Sequence, residues 1–178
     1  MHKLKFPNEP FLPLTDAGTS LDDYPMALVS HAEATKFCET LTKQEHAAGR
    51  LLKDWAYRLP TEAQWEYSCR AGVSEETLAD EESAPPKHLE QAGSSLANGW
   101  GLCEMRSNVQ EWCRDFYTAE LPGGTDPEVV RTDPFRVVRG ASNTTDPDSR
   151  RPDCRFRCKP EFRGDSVGFR VAVVRLKG

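Results

Sequence analysis

Two short signatures constrain this chain more than anything else in it. Ser30-His-Ala-Glu33 and Thr61-Glu-Ala-Gln64 are both Ser/Thr-x-x-Glu/Gln boxes. In such a box the first hydroxyl and the fourth side chain satisfy each other's backbone N–H groups, so each box announces a helix start. Behind the first, Ala34, Phe37, Cys38 and Leu41 recur at helical spacing, and a helix is expected to run to just before Gly49. Behind the second, a helix is expected to run towards Gly72. Short strand-like runs take over instead: Met26–Val29, Tyr57–Leu59, Arg136–Arg139 closed by Gly140, and 167–176, the strongest of them. Residues 98–117 interleave aromatics and cysteines with polar groups, as half-buried strands and turns do. Residues 73–97 and 118–134 read as long loops. Helices early and strands late give an α+β domain rather than a βαβ repeat.

At 178 residues the length suits one domain. An extended, proline-bearing lead-in over 1–21 and a single domain over 22–178 are expected. Mean hydropathy is −0.64 and no apolar run approaches the roughly 18 residues of a membrane helix, so no membrane role is expected. The first residues lack the apolar core of a secretory signal, which points to a cytoplasmic protein with reduced cysteines. Charge is uneven. Residues 1–130 hold 11 Lys/Arg and 22 Asp/Glu, whereas 131–178 hold 12 and 6. A pI near 5.4 argues against nucleic acid. The expectation is that the basic tail pairs with the acidic front inside one fold. Cys38, Cys69, Cys103 and Cys113 read as buried small hydrophobes, and Trp55, Trp65, Trp100 and Trp112 as core anchors. The four histidines are scattered, and no phosphate-loop or serine-hydrolase motif is present.

Four ordered blocks carry a resemblance. They are Tyr57-Arg-Leu-Pro-Thr-Glu-Ala-Gln-Trp-Glu-Tyr67, Trp100-Gly-Leu-Cys-Glu-Met-Arg-Ser-Asn-Val-Gln-Glu-Trp-Cys-Arg-Asp115, Arg136-Val-Val-Arg-Gly-Ala-Ser142 and Gly168-Phe-Arg-Val171. Together they resemble the formylglycine-generating enzyme, or sulfatase-modifying factor, family. The resemblance implies a C-type-lectin-like α+β fold with two helices, small antiparallel sheets and long irregular loops. It implies nothing single about function, since the scaffold serves copper-dependent cysteine oxidases, sulfoxide synthases, non-catalytic paralogues and variable ligand-binding proteins. The sulfoxide-synthase case would need a His-x3-His-x-Glu iron site, which is lacking.

In the oxidase, two cysteines hold Cu(I), and a cysteine of a sulfatase peptide is oxidised by oxygen to formylglycine. Soft thiolates select Cu(I). By resemblance the catalytic and copper-binding candidates here are Cys154 and Cys158, with Arg155 and Arg157 nearby. The family's cysteines are five positions apart and these are four apart. Cys158 aligns, but Asp153 falls where the other cysteine belongs, and Gln110 replaces a tryptophan. A one-residue slip reverses a side chain across a strand. A calcium site is implied around Ser107-Asn-Val-Gln-Glu111: oxygens from Glu104, Ser107 and Val109, and the Glu111 carboxylate, as hard-oxygen Ca²⁺ ligands. The alternative is that Asn108 and Glu111 only hydrogen-bond the turn. Ser107 stands where the family has glycine, so a positive φ is at issue there.

The family's front blocks, Met-Gly and Glu-Val-Thr, are missing from residues 1–25. Either the start is degenerate or the domain is shortened, and a shortened domain would leave an exposed sheet edge, open to a homo-oligomer. Two functional readings follow. The first is a non-catalytic lectin-like module that binds a protein or other ligand through the Arg-rich 150–163 loop, with Arg155, Arg157 and Arg163 as contacts. The second is a formylglycine-generating oxidase with a sulfatase peptide as substrate.

Overall fold

The computed structural model describes residues 23–74, 88–131, 133–146 and 149–176. The lead-in over 1–21 lies outside them, as does most of the 73–97 loop. Helix α1 (His31–Ala47) and helix α2 (Glu62–Arg70) begin where their boxes place them. Ser30 Oγ accepts from the Glu33 N–H (3.3 Å) and the Glu33 carboxylate accepts from the Ser30 N–H (2.9 Å). Thr61 and Gln64 exchange the same pair of bonds, both 3.1 Å. Among the described residues six short strands accompany the helices: β1 (Trp55–Arg58), β2 (Gln110–Phe116), β3 (Arg136–Arg139), β4 (Arg155–Cys158), β5 (Val167–Gly168) and β6 (Ala172–Arg175).

The strands form two sheets. β1 pairs antiparallel with β6. The larger sheet has the order β4-β3-β2-β5, antiparallel except for the parallel β2–β5 pair. The expected two helices and small antiparallel sheets are thus present, with this one parallel pair added. The 167–176 run, expected as one strand, is split. Its start pairs with β2 in one sheet and its end with β1 in the other, and Phe169 and Arg170 turn aside between them. Gly168 allows the crossing, because a Cβ there would lie 2.6 Å from the Met26 carbonyl oxygen. Met26–Val29 forms no strand. Leu28 takes a positive φ of 59° and its N–H donates to the Gly164 carbonyl (3.0 Å).

The larger sheet is covered on both faces. On one face, Trp112, Val138, Phe156 and Cys158 pack with Ala34 and Cys38 of α1. On the other, Cys113 and Val137 pack with Trp65 and Cys69 of α2. Adjacent residues of β2 and β3 thus serve opposite cores, because strand side chains alternate. This explains why 98–117 reads as half-buried while Trp112 and Cys113 are both fully buried. Trp112 is tied down by a bond from its Nε1 to the Val29 carbonyl (2.9 Å). The open edge of β1 is capped by α1. Thr42 Oγ1 accepts from the Tyr57 N–H (2.8 Å), and His46 Nε2 lies 2.9 Å from the Trp55 carbonyl.

Charge segregation along the chain becomes ion pairing in the fold. Arg139 and Arg155 reach Glu62, Arg163 reaches Glu33, Arg170 reaches Glu111, and Arg175 reaches Asp54. Each joins the basic tail to the acidic front. Among the described residues no helix is long and apolar enough to cross a membrane.

Candidate functional site

The candidate thiols sit on β4, the edge strand of the larger sheet. All six cysteines are thiols. β4 pairs with β3 without a bulge, from Arg139↔Arg155 to Arg136↔Cys158. Phe156 and Cys158 turn towards α1 and pack on the core beside Val29 and Trp112. Arg155 and Arg157 turn the other way, towards α2. Cys154 precedes the strand, and its N–H closes a turn onto the Arg151 carbonyl (3.0 Å). Four residues of extended chain put two Cα atoms about 13 Å apart. Burial also pushes the Cys158 thiol up, away from the thiolate a copper ion needs. The two thiols in this arrangement do not fit one shared copper ion.

The calcium loop is equally committed to internal bonds. The Glu104 carboxylate accepts from the N–H groups of Gly93 (2.9 Å) and Ser95 (2.9 Å). Asn108, not Ser107, takes the positive φ (70°). Its amide bridges both backbone groups of Glu90, accepting from the N–H (3.0 Å) and donating to the carbonyl (3.1 Å). Ser107 lies in that turn, its N–H directed at the Glu104 carbonyl (3.4 Å), and Val109 is buried. The Glu111 carboxylate is 5% exposed and receives Arg170 through both oxygens (2.5 and 2.7 Å) and Trp65 Nε1 (2.7 Å). With a guanidinium and an indole on it, Glu111 does not fit as a side-chain ligand to Ca²⁺. Among the described residues no cluster of three or more His, Cys, Asp or Glu could hold a metal ion.

Of the three candidate arginines, Arg155 and Arg157 share the Tyr117 ring, at 5.0 and 5.1 Å from its centroid, and Arg163 stands apart at the start of α1. Arg155 clamps Glu62 through Nε (2.6 Å) and Nη2 (2.7 Å), and its Nη1 holds the Thr118 carbonyl (2.8 Å). Arg157 is exposed and stacks on Tyr117 and Phe135, at 5.1 and 5.0 Å from the ring centroids. Arg163 forks onto Glu33 at the start of α1 (2.9 and 3.0 Å), and this bond holds the Glu33 carboxyl down to about 2.

What the fold assembles instead is a buried charge network between α2 and the sheet, and sequence reasoning passed over it. Glu62 is 3% exposed and Arg139 is 0% exposed, joined at 2.6 Å. Arg139 also reaches Glu66 (2.7 Å) and the Pro152 carbonyl. Asp115 accepts from the Glu62 N–H (2.7 Å) and the Val129 N–H (2.8 Å), and burial raises its pKa. As a first-turn helix acid, Glu62 carries no sequence signal of burial. Beside this network lies a hollow of about 310 Å³, between Ala63 and Tyr67 of α2 and the loop residues Leu121, Pro122 and Pro127. Arg155 and a Gln64–Asp126 bond (3.1 Å) pin that loop. Trp100, expected in the core, is 47% exposed and meets Tyr67, 67% exposed, edge to face at 4.9 Å. Of the other three tryptophans, Trp65 and Trp112 are buried and Trp55 is half-buried. Cys103 is half-buried, while Cys38, Cys69 and Cys113 are buried as expected.

Comparison with known proteins follows the blocks read from the sequence. Residues 13–175 match the model of the sulfatase-modifying factor enzyme 1-like domain. The chain is 30% identical over 184 residues to the formylglycine-generating enzyme of Streptomyces coelicolor, covering 86% of this chain and 54% of that protein. It is 32% identical over 127 residues to the serine/threonine-protein kinase pkn1 of Chlamydia caviae, covering 65% of this chain and 21% of that one. This chain thus spans about half or less of these relatives. Among solved structures it resembles Treponema denticola variable protein 1, with a TM-score of 0.78 and 22% identity over 94% of this chain and 78% of that one. That likeness bears on the fold alone.

Proposed function

Since the chain belongs to the sulfatase-modifying factor family, we propose that it is a non-catalytic member that binds a protein partner. The observation that carries this reading is the placement of the two thiols. Cys158 packs against the α1-side core with its thiol raised by burial, and Cys154 precedes the opposite end of β4, in a turn closed onto Arg151. Oxidation of the family type needs two thiolates on one copper ion, and the arrangement supports no such pair. Relatedness by itself does not favour oxidation, because a relative of similar identity is named as a protein kinase.

A contact surface is supported by exposed apolar groups. Tyr67 and Trp100 form an edge-to-face pair at the surface, beside a hollow whose loop wall is pinned at both ends. Clustered exposed aromatics of this kind mark interaction surfaces. The alternative, a formylglycine-generating oxidase acting on a sulfatase peptide, is tested directly. Wild type and Cys158→Ser are titrated with Cu(I) without oxygen, then incubated with a Cys-x-Pro-x-Arg peptide, copper and oxygen. Equal, weak copper binding and no aldehyde product are expected. Tight binding lost in Cys158→Ser, with aldehyde formed by wild type, would overturn the reading.

A further inference from the structure

A second concavity lies on the other side of the fold's charge balance. A groove of about 460 Å³ runs between α1 and the β1 segment, with Leu176 also in its lining. Its floor is apolar: Cys38, Ala56 and Leu59 are all buried. Three cations line it, Lys43 of α1, Arg58 of β1 and Arg114 of β2, against one carboxylate, Glu39. Arg114 is neutralised by Glu128 (2.7 Å) and Glu39 by Lys36 (3.5 Å). Lys43 and Arg58 have no hydrogen-bond or ion-pair partner among the described residues. This sets them apart from Arg139, Arg155, Arg163, Arg170 and Arg175, all of which are paired. In a chain of net charge −5 the groove therefore presents two positive charges that no described residue compensates.

We propose that this groove docks an acidic peptide segment of a protein partner. The two cations stand on different elements, with an apolar floor beneath them. A compact anion would leave the apolar floor uncovered. An extended peptide alternating carboxylate and apolar side chains can meet both cations and cover the floor, so charge and apolar complementarity select the same ligand. The inference rests on the binding-module reading for its biological role, but it draws on residues that reading does not use.

The probe is a fluorescein-labelled octapeptide of alternating glutamate and leucine, followed by anisotropy at low salt with the full chain. Saturable binding is expected. Lys43→Glu with Arg58→Glu weakens it at least tenfold, and the milder Lys43→Gln with Arg58→Gln weakens it in the same direction. Lys159→Glu, at an exposed residue just after β4 and outside the groove, makes the same kind of charge change and shifts affinity less than twofold. Absence of saturable binding, equal loss with Lys159→Glu, or equal binding of a lysine–leucine peptide would each overturn the proposal. So would inorganic phosphate binding with the same dependence on Lys43 and Arg58, which would make the groove a small-anion site. Failure here leaves the binding-module reading intact if the copper titration stays flat, because that titration reads Cys158, which does not line this groove.

Discussion

Glu62→Gln is the most informative single change, because three hydrogen bonds of a buried network end on one carboxylate. Glu62 accepts from Arg139 at 2.6 Å and from Arg155 at 2.6 and 2.7 Å. Glutamine keeps the shape but removes the charge and turns an N–H group towards a guanidinium. Arg139, fully buried, is left with Glu66 and the Pro152 carbonyl, and Arg155 with the Thr118 carbonyl. Breaking a buried ion pair by removing one partner costs roughly 3–5 kcal/mol. The amide oxygen still accepts one bond, worth about 1 kcal/mol, so a net loss of about 3 kcal/mol is expected. With a urea m-value of about 2 kcal/mol/M, the unfolding midpoint falls by about 1.5 M. Tryptophan fluorescence reads the transition, since Trp65 and Trp112 lie in the two cores. A midpoint shift below about 0.5 M would refute the reasoning. Adding Arg155→Met removes one stranded charge, so the double variant loses less than the sum of the two singles. Strict additivity would show that Glu62 and Arg155 are not coupled.

Further outcomes follow from the same coordinates. Burial, then the charge of Arg136, lowers His31 to about 4, against a bond from its Nε2 to the Cys113 carbonyl. Its native pKa lies below the unfolded value, so its share of stability is full above about pH 6.5 and is lost as pH falls towards 4, by about 3 kcal/mol in all. Between pH 6.5 and 5 the Tm of His31→Phe should fall less than that of wild type, and parallel curves would contradict this. Gly168→Ala forces a Cβ to 2.6 Å from the Met26 carbonyl oxygen and should cost about 1–3 kcal/mol in chemical denaturation. Gly123→Ala, with nothing within 4 Å, should cost less than about 0.5 kcal/mol, and equal effects would refute the close-approach argument. Because Glu111 is held by Arg170 and Trp65, Tm should differ by less than about 1 °C between EGTA and millimolar calcium. A rise of about 3 °C or more with calcium would show that the loop binds it.

Local signals determined the local structure. The Ser30 and Thr61 boxes fixed both helix starts, because their bonds join residues three apart and need nothing from the rest of the chain. The four blocks likewise identified the family, and the two-sided charge of the chain anticipated its cross-pairing. Tertiary structure decided everything that depends on which neighbour a side chain meets. Sequence could not show that adjacent Trp112 and Cys113 serve different cores, because a strand covered on both faces has no polar face to mark it. It could not separate Trp65, buried against α2's side of the sheet, from Trp100, exposed on Tyr67. Nor could it tell Glu62, which neutralises two arginines, from any other acid in a first helical turn. The candidate site turned on the same distinction. Residue types near the tail suggested a copper pair, but the direction in which β4 faces packs Cys158 against a core, while the fold brings Lys43 and Arg58 to one groove with no ion-pair partner among the described residues.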